Sequence, residues 1–111
     1  MLVLPNAGRF TPPEPGEGRR YTEDLRVPDL SVGTYCVPVG GEDTQAPHTE
    51  DEVYVVVSGR ARLTAGSGTV DVAPGSVLFV PAGEEHRFTD IAEDLTVLVF
   101  FAPAEYTRQN P

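Results

Sequence analysis

Apolar and polar residues alternate in short runs along most of this chain, and the runs end at glycine, proline or serine before a helical period can establish itself. Ala61-Arg62-Leu63-Thr64-Ala65 is the cleanest case, with Leu63 expected to point inward and Arg62 into solvent. The pattern predicts strands over Leu30–Val39, Glu52–Val57, Ala61–Ala65, Thr69–Val72, Ser76–Val80, His86–Thr89 and Leu95–Phe101. Valine, phenylalanine, tyrosine and threonine dominate these runs, and such side chains suit a pleated, half-buried surface. Turn residues fill the breaks at Gly40-Gly41, Ser58-Gly59, Gly66-Ser67-Gly68, Pro74-Gly75 and Pro81-Ala82-Gly83. Val53–Val57 and Val77–Val80 are apolar at odd and even positions alike, which predicts strands covered on both faces. Many short strands with turns between them mean an all-β fold, a small antiparallel barrel or jelly roll.

The N-terminal stretch reads differently. Residues 1–20 are rich in proline and glycine and are predicted to form an irregular arm, leaving 21–111 as a single barrel domain. Tyr21–Leu30 has no clear period, and Pro28 argues against a helix through it. With 111 residues the chain has room for one modest core and no second domain.

Charge narrows the partners. Eight arginines and no lysine oppose seventeen acidic residues, for a formal charge of −9. Nucleic-acid binding draws on basic side chains that release counterions from phosphates, and an anionic membrane surface likewise attracts basic segments. Neither partner is expected. Cys36 is the only cysteine, so no intrachain disulfide and no thiolate cluster can form. No basic leader precedes the short apolar Met1–Pro5, and Leu95–Ala102 is too short to span a bilayer. The expected compartment is the cytoplasm.

The chain has two histidines, each beside turn residues at the start of a β-type run. His48 precedes the strand that carries Glu52, and His86 follows Pro81-Ala82-Gly83-Glu84-Glu85. Imidazole and carboxylate together form a donor set suited to Fe(II), Mn(II), Zn(II) or Ni(II). His48 and Glu52 are four residues apart, which puts both on one face of an extended chain, with Tyr54 following on that face.

These residues carry a family resemblance. Gly75, Pro81, Gly83 and His86 reproduce the second cupin motif, G-x5-P-x-G-x2-H-x3-N, with Asp90 in the place of asparagine. In the first cupin motif His48 takes the second histidine position, with Glu52 and Gly59 at the family intervals and Gly41 ahead of them. Ala46 stands where the first histidine would be. The chain thus resembles the cupin superfamily over residues 41–90, and the resemblance implies one divalent metal ion held by His48, Glu52 and His86. A 2-His-1-carboxylate set leaves coordination positions open for substrate or dioxygen. Gln45 and Glu50 are candidates for a further ligand. The implied activity is a metal-dependent reaction on a small oxygenated metabolite, of dioxygenase (oxidoreductase), isomerase, decarboxylase or lyase type. A non-catalytic binding module and a structural accessory barrel are the alternatives.

Other features take plainer readings. Tyr54 and Phe88 share parity with Glu52 and His86 and are read first as core. Cys36 is expected to be a small buried hydrophobe. Arg60, Arg62 and Arg87 are expected in solvent, as are the acidic runs around Glu50 and Glu84, with Glu52 the exception. Leu2, Val3, Leu4 and Phe10 are more apolar than an irregular arm can bury alone, and Leu95–Phe101 is apolar on both faces. A homodimer with the arm against the partner's barrel is therefore expected.

Overall fold

The structure, a computed structural model, describes residues 1–109. Six strands follow in order: β1 (Arg20–Val27), β2 (Leu30–Val37), β3 (Asp51–Ala65), β4 (Gly68–Val72), β5 (Val77–Val80) and β6 (His86–Ala102). All pairings are antiparallel, in the order β1-β2-β6-β3-β4, with β5 added to the free side of the first half of β3. The fold is the expected all-β barrel.

Two pairs of predicted strands are in fact two long ones. Ser58-Gly59 reads as a turn, yet β3 runs through it, and β6 likewise runs through Asp90–Asp94. Pairing between β3 and β6 slips at Val56, Ser58 and Arg60, which marks bulges rather than ends. The bulges also switch parity. Glu52, Tyr54 and Val56 are buried before the slip, and Gly59, Ala61 and Leu63 after it. On β6 the inward set changes from His86 and Phe88 to Leu95, Val97, Val99 and Phe101, with Asp90 at φ 49° near the switch. An extra residue lets the strand bend while one face stays on the core. Gly59 is required twice over: its φ is +91°, and a Cβ there would lie 2.2 Å from the Asp94 carbonyl oxygen.

The bend lays the two halves of the sheet face to face. Tyr35, Val37, Tyr54, Val56, Val97, Val99 and Phe101 meet Leu63, Val72 and Phe88 in one hydrophobic core. Leu63 is buried and Arg62 exposed, as the alternation predicted. Arg60 and Arg87 are also exposed.

Two expectations change, and the stretch without a clear period proves to be strand. β1 covers Arg20–Val27, and its pairs with β2 slip between Glu23 and Leu25, which breaks the alternation. Val77 and Phe79 are not covered on their outer face: they are 67% and 63% exposed on β5, which pairs only with β3. Glu50 is buried rather than solvated, and its carboxylate is taken up by the C-terminal turn. Its carboxylate accepts the backbone N–H groups of Tyr106 (2.8 Å) and Arg108 (2.9 Å) and the Thr49 hydroxyl. Glu50 is therefore a clamp for the C-terminal turn and not a further metal ligand.

The arm does not form strands, and part of it lies along the outer face of β2. Gly8 N–H donates to the Thr34 hydroxyl at 3.0 Å, and Thr11 N–H reaches Cys36 Sγ at 3.4 Å. Cys36 is buried beneath it, and burial raises its thiol pKa. Leu2 and Val3 remain exposed. No helix is long and apolar enough to cross a membrane.

Burial alone would raise the Glu50 pKa, but the Thr49 hydroxyl and the two backbone N–H groups outweigh it and hold the carboxyl below its usual value. A depressed pKa stabilises the fold above the ordinary carboxylate range, and the contribution fades as pH falls through the folded value. Glu50→Gln should cost about 1–3 kcal/mol at neutral pH, read by denaturant unfolding, with the gap to wild type closing in acid. Equal stability at neutral pH would refute the clamp.

Candidate metal centre

Two loops meet at the barrel mouth, and backbone hydrogen bonds bring them together. Gly83 N–H donates to the His48 carbonyl at 2.8 Å, and Ala82 N–H donates to the Asp51 carboxylate at 2.9 Å. Pro81 closes the turn by accepting Glu84 N–H. Gly83 takes φ +82°, a value that costs glycine little. This docking sets His48, at the entry to β3, opposite His86, the first residue of β6.

One donor atom from each of His48, Glu52 and His86 lies within 4.8 Å of the other two. His86 Nε2 is 3.0 Å from Glu52 Oε1, and His48 Nδ1 is 3.6 Å from the same oxygen. Glu52 and His86 are buried, and His48 is half-buried against the Phe101 ring at a centroid distance of 4.7 Å. All three expected site residues are thus brought together.

The outer nitrogens fix how each ring presents itself. His86 Nδ1 stands 2.8 Å from the Glu84 carbonyl, which can only accept, so the proton sits on Nδ1 and Nε2 faces Glu52. His48 Nε2 stands 3.2 Å from Glu105 Oε2, which leaves Nδ1 to face Glu52. Metal-bound histidines commonly have this arrangement, with the remote N–H tied to a carbonyl or carboxylate.

The buried carboxylates make the same point by contrast. Asp43 accepts the Tyr35 hydroxyl, the Gln45 side-chain amide (2.7 Å) and the Phe88 backbone N–H (2.7 Å). Glu50 is satisfied by Tyr106 and Arg108. Among the described residues no backbone N–H reaches Glu52, and its Oε1 and His48 Nδ1 are buried without a hydrogen-bond partner. Unpaired buried polar atoms are costly. A cation placed among them would satisfy both, so the residues present fit a divalent ion.

Glu105 is the residue the sequence reading missed. It is buried, yet it lies in the C-terminal turn, far along the chain from either motif. Its backbone N–H donates to Ser31 Oγ at 2.9 Å, and its carbonyl accepts from Arg26 at 2.8 Å. With Glu50 holding the next residues, the turn delivers the Glu105 carboxylate to His48. Gln45 binds Asp43 and accepts weakly from the Tyr54 hydroxyl at 3.3 Å, so it lines the mouth without joining the donor cluster. Ala46 is exposed and offers no donor atom.

His48 and Glu52 border a cavity of about 430 Å³ that is also lined by Arg19, Tyr21, Gln45, Pro47, Phe101 and Tyr106. Tyr21 lies across Gly33, where any Cβ would strike its ring. Its hydroxyl is buried with no hydrogen-bond partner among the described residues, and burial and nearby carboxylates raise its pKa. It remains a neutral donor.

Comparison with known proteins gives the family and the fold. The Cupin domain family model matches residues 33–101. An uncharacterized protein of Streptomyces coelicolor is 54% identical over 85 residues, covering 77% of this chain and 81% of that protein. Among solved structures, TT1209 of Thermus thermophilus superposes with a TM-score of 0.74 at 22% identity, covering 94% of this chain and 97% of that one. KdgF of a Halomonas species gives 0.72 at 21% identity, with 82% and 85% covered. A protein of Ralstonia eutropha described as a putative mannose-6-phosphate isomerase gives 0.68 at 23% identity, with 83% and 91% covered. This chain belongs to the cupin family.

Burial lowers the His86 pKa, but Glu52 and the Glu84 carbonyl outweigh it, so the net shift is upward. A raised pKa means protons compete with a metal ion to higher pH than at an ordinary histidine. Affinity for Zn(II) should therefore keep rising with pH beyond the usual histidine range. His86→Ala should abolish stoichiometric uptake, and Glu105→Gln should weaken it about tenfold, both read by competition titration. Undiminished uptake by the His86 variant would reject this site.

Proposed function

We propose that this cupin is a metal-dependent enzyme acting on a small oxygenated metabolite, of the dioxygenase, isomerase or lyase type. One observation carries the reading: two imidazoles, each tethered at its outer nitrogen, lie within 3.6 Å of a buried carboxylate oxygen that has no hydrogen-bond partner among the described residues, beside a cavity. The metal is a divalent ion, Fe, Mn, Zn or Ni, that when bound would polarise adjacent oxygens of the substrate. Around it the chain supplies the rest. Arg19, which lines the cavity and hydrogen-bonds Thr44 at 3.2 Å, offers a positive charge for a carboxylate or phosphate. Tyr21 donates its unpaired O–H to a substrate oxygen. Pro47, Val99 and Phe101 present apolar surface that limits water. The putative isomerase among the similar structures keeps sugar isomerisation among the reactions to try. The buried, unpaired Cys36 fits a reducing compartment, and we place the protein in the cytoplasm.

Metal analysis of the purified protein, followed by oxygen uptake and product assays with diketones, hydroxy acids and sugars, tests this reading. About one equivalent per chain is expected from the single donor set, with turnover that falls on chelation. Metal without turnover on any class would favour a non-catalytic binding module, and no metal after reconstitution would favour a structural barrel.

We also propose that the active form is a homodimer. Val77 and Phe79 flank Val55 and Val53 on the outer face of β5 and β3, continued by Leu98 and Phe100 on β6. With Met1, Leu2 and Val3 also exposed, this is more apolar surface than isolated side chains account for. Light scattering should report a dimer for wild type and a monomer for a Val77→Lys, Phe79→Glu double variant. A monomeric wild type at high concentration would reject it.

A further inference from the structure

One cation borders the cavity with no anion beside it. Arg20, Arg26, Arg60 and Arg62 each lie within 4.0 Å of a carboxylate. Arg9, Arg87 and Arg108 are exposed. Arg19 is half-buried, and among the described residues no carboxylate pairs with it, in a chain that carries seventeen acidic residues. Arg19 shares its cavity with His48 and Glu52 of the donor cluster.

The chain around Arg19 is built to hold it there. Gly18 packs so closely on the loop after β2 that a Cβ would lie 2.9 Å from the Glu42 backbone nitrogen. A Cβ on Gly41 would in turn lie 2.3 Å from the Gly18 carbonyl oxygen, so both positions need glycine. From this junction Arg19 Nε donates to the Thr44 hydroxyl at 3.2 Å, which leaves the two terminal nitrogens for another partner. Burial raises the pKa of the Tyr35 and Tyr106 hydroxyls, and the Arg19 charge opposes the rise in both, as a guanidinium on the same cavity wall would.

We propose that the substrate is a small carboxylic acid whose single carboxylate binds Arg19, with its hydroxyl or carbonyl oxygens toward His48, Glu52 and His86. The proposal rests on the reading of this cavity as a metal-dependent active site, and it narrows the substrate to one class. Charge decides among the candidates. Glu52 and Glu105 also border the cavity, so with a divalent ion among the donors, Arg19 included, about one positive formal charge is left over. One carboxylate balances it. A phosphate, at about −1.5 to −2 near neutral pH, exceeds it beside two carboxylates, and a neutral sugar leaves Arg19 unanswered. Shape agrees, because the planar guanidinium meets a carboxylate through two parallel N–H donors. A cavity of about 430 Å³ lies toward the small end for ligand sites, which suits a small acid.

Calorimetry with probes matched on one carbon skeleton tests this. Glycerate, glycerol and glycerol phosphate form one set, and glucuronate, glucose and glucose 6-phosphate another. Each is titrated into Zn(II)-loaded protein and into apoprotein, and Zn(II) uptake is measured separately. In at least one set the acid should bind about tenfold or more tightly than its alcohol or its phosphate. Arg19→Gln, with unchanged far-UV dichroism, should reduce the acid to the level of the alcohol. Arg19→Lys keeps the charge without the fork and should recover part of the preference. Arg20→Gln, whose charge is paired with Glu14, should keep all of it. Equal affinity for acid and alcohol, a phosphate bound as tightly as the acid, or a preference that survives Arg19→Gln would each overturn the proposal. So would loaded protein that binds neither acid. Failure to take up Zn(II) would reject the metal reading by its own measurement, and the Arg19 dependence of acid binding to apoprotein would then decide the carboxylate site.

Discussion

A carboxylate buried without backbone donors is the constraint on which the mouth of this barrel depends. Glu52 sits inside the fold at 2% exposure, and the groups around it are imidazoles and phenols rather than arginine. Burying a carboxylate is expensive unless it is paired. Glu105, also buried, adds a second negative charge on the far side of His48. Two carboxylates beside two imidazoles leave a negative balance that a divalent ion among the clustered donors would offset. Without metal, a proton on His86 is the available substitute, which accounts for its raised pKa.

The barrel supplies the rigidity this arrangement needs. Glu52 and Tyr54 lie on the half of β3 that is paired on both sides, to β5 and to β6. His86 begins β6, directly opposite Ala65. His48 lies in a loop, but its own carbonyl is held by Gly83 and its ring by Glu105 and Phe101. The bulges at Ser58–Arg60 matter here as well. They reverse parity between the two halves of β3, so Glu52 and Leu63 face the same interior.

Much of this was legible in the sequence, for local reasons. Alternating apolar residues disclosed the strands of the core, and the spacing of His48, Glu52 and His86 among turn residues disclosed the donor set. What stayed hidden depends on distant chain segments or on irregular pairing. Ser58-Gly59 has the composition of a turn, and only the pairing of Ser58 to Thr96 and Arg60 to Glu93 shows that the strand continues. β1 pairs with a slip and is exposed along one edge, so no period marks it. Glu50 has the right parity for the site, but the C-terminal turn captures it, and that same turn brings in Glu105. Tyr54 shows that a core reading and a site reading can both hold for one side chain: its ring packs in the core and its oxygen reaches the donors.

The most direct measurement is the anomalous scattering of a divalent ion in crystals of the reconstituted protein. A single peak per chain bonded to His48 Nδ1, Glu52 Oε1 and His86 Nε2, with Glu84 and Glu105 still holding the outer nitrogens, is the predicted result. A peak bonded to His48 Nε2 with Glu105 displaced, or no peak at the mouth in protein that has bound stoichiometric metal, would contradict the account.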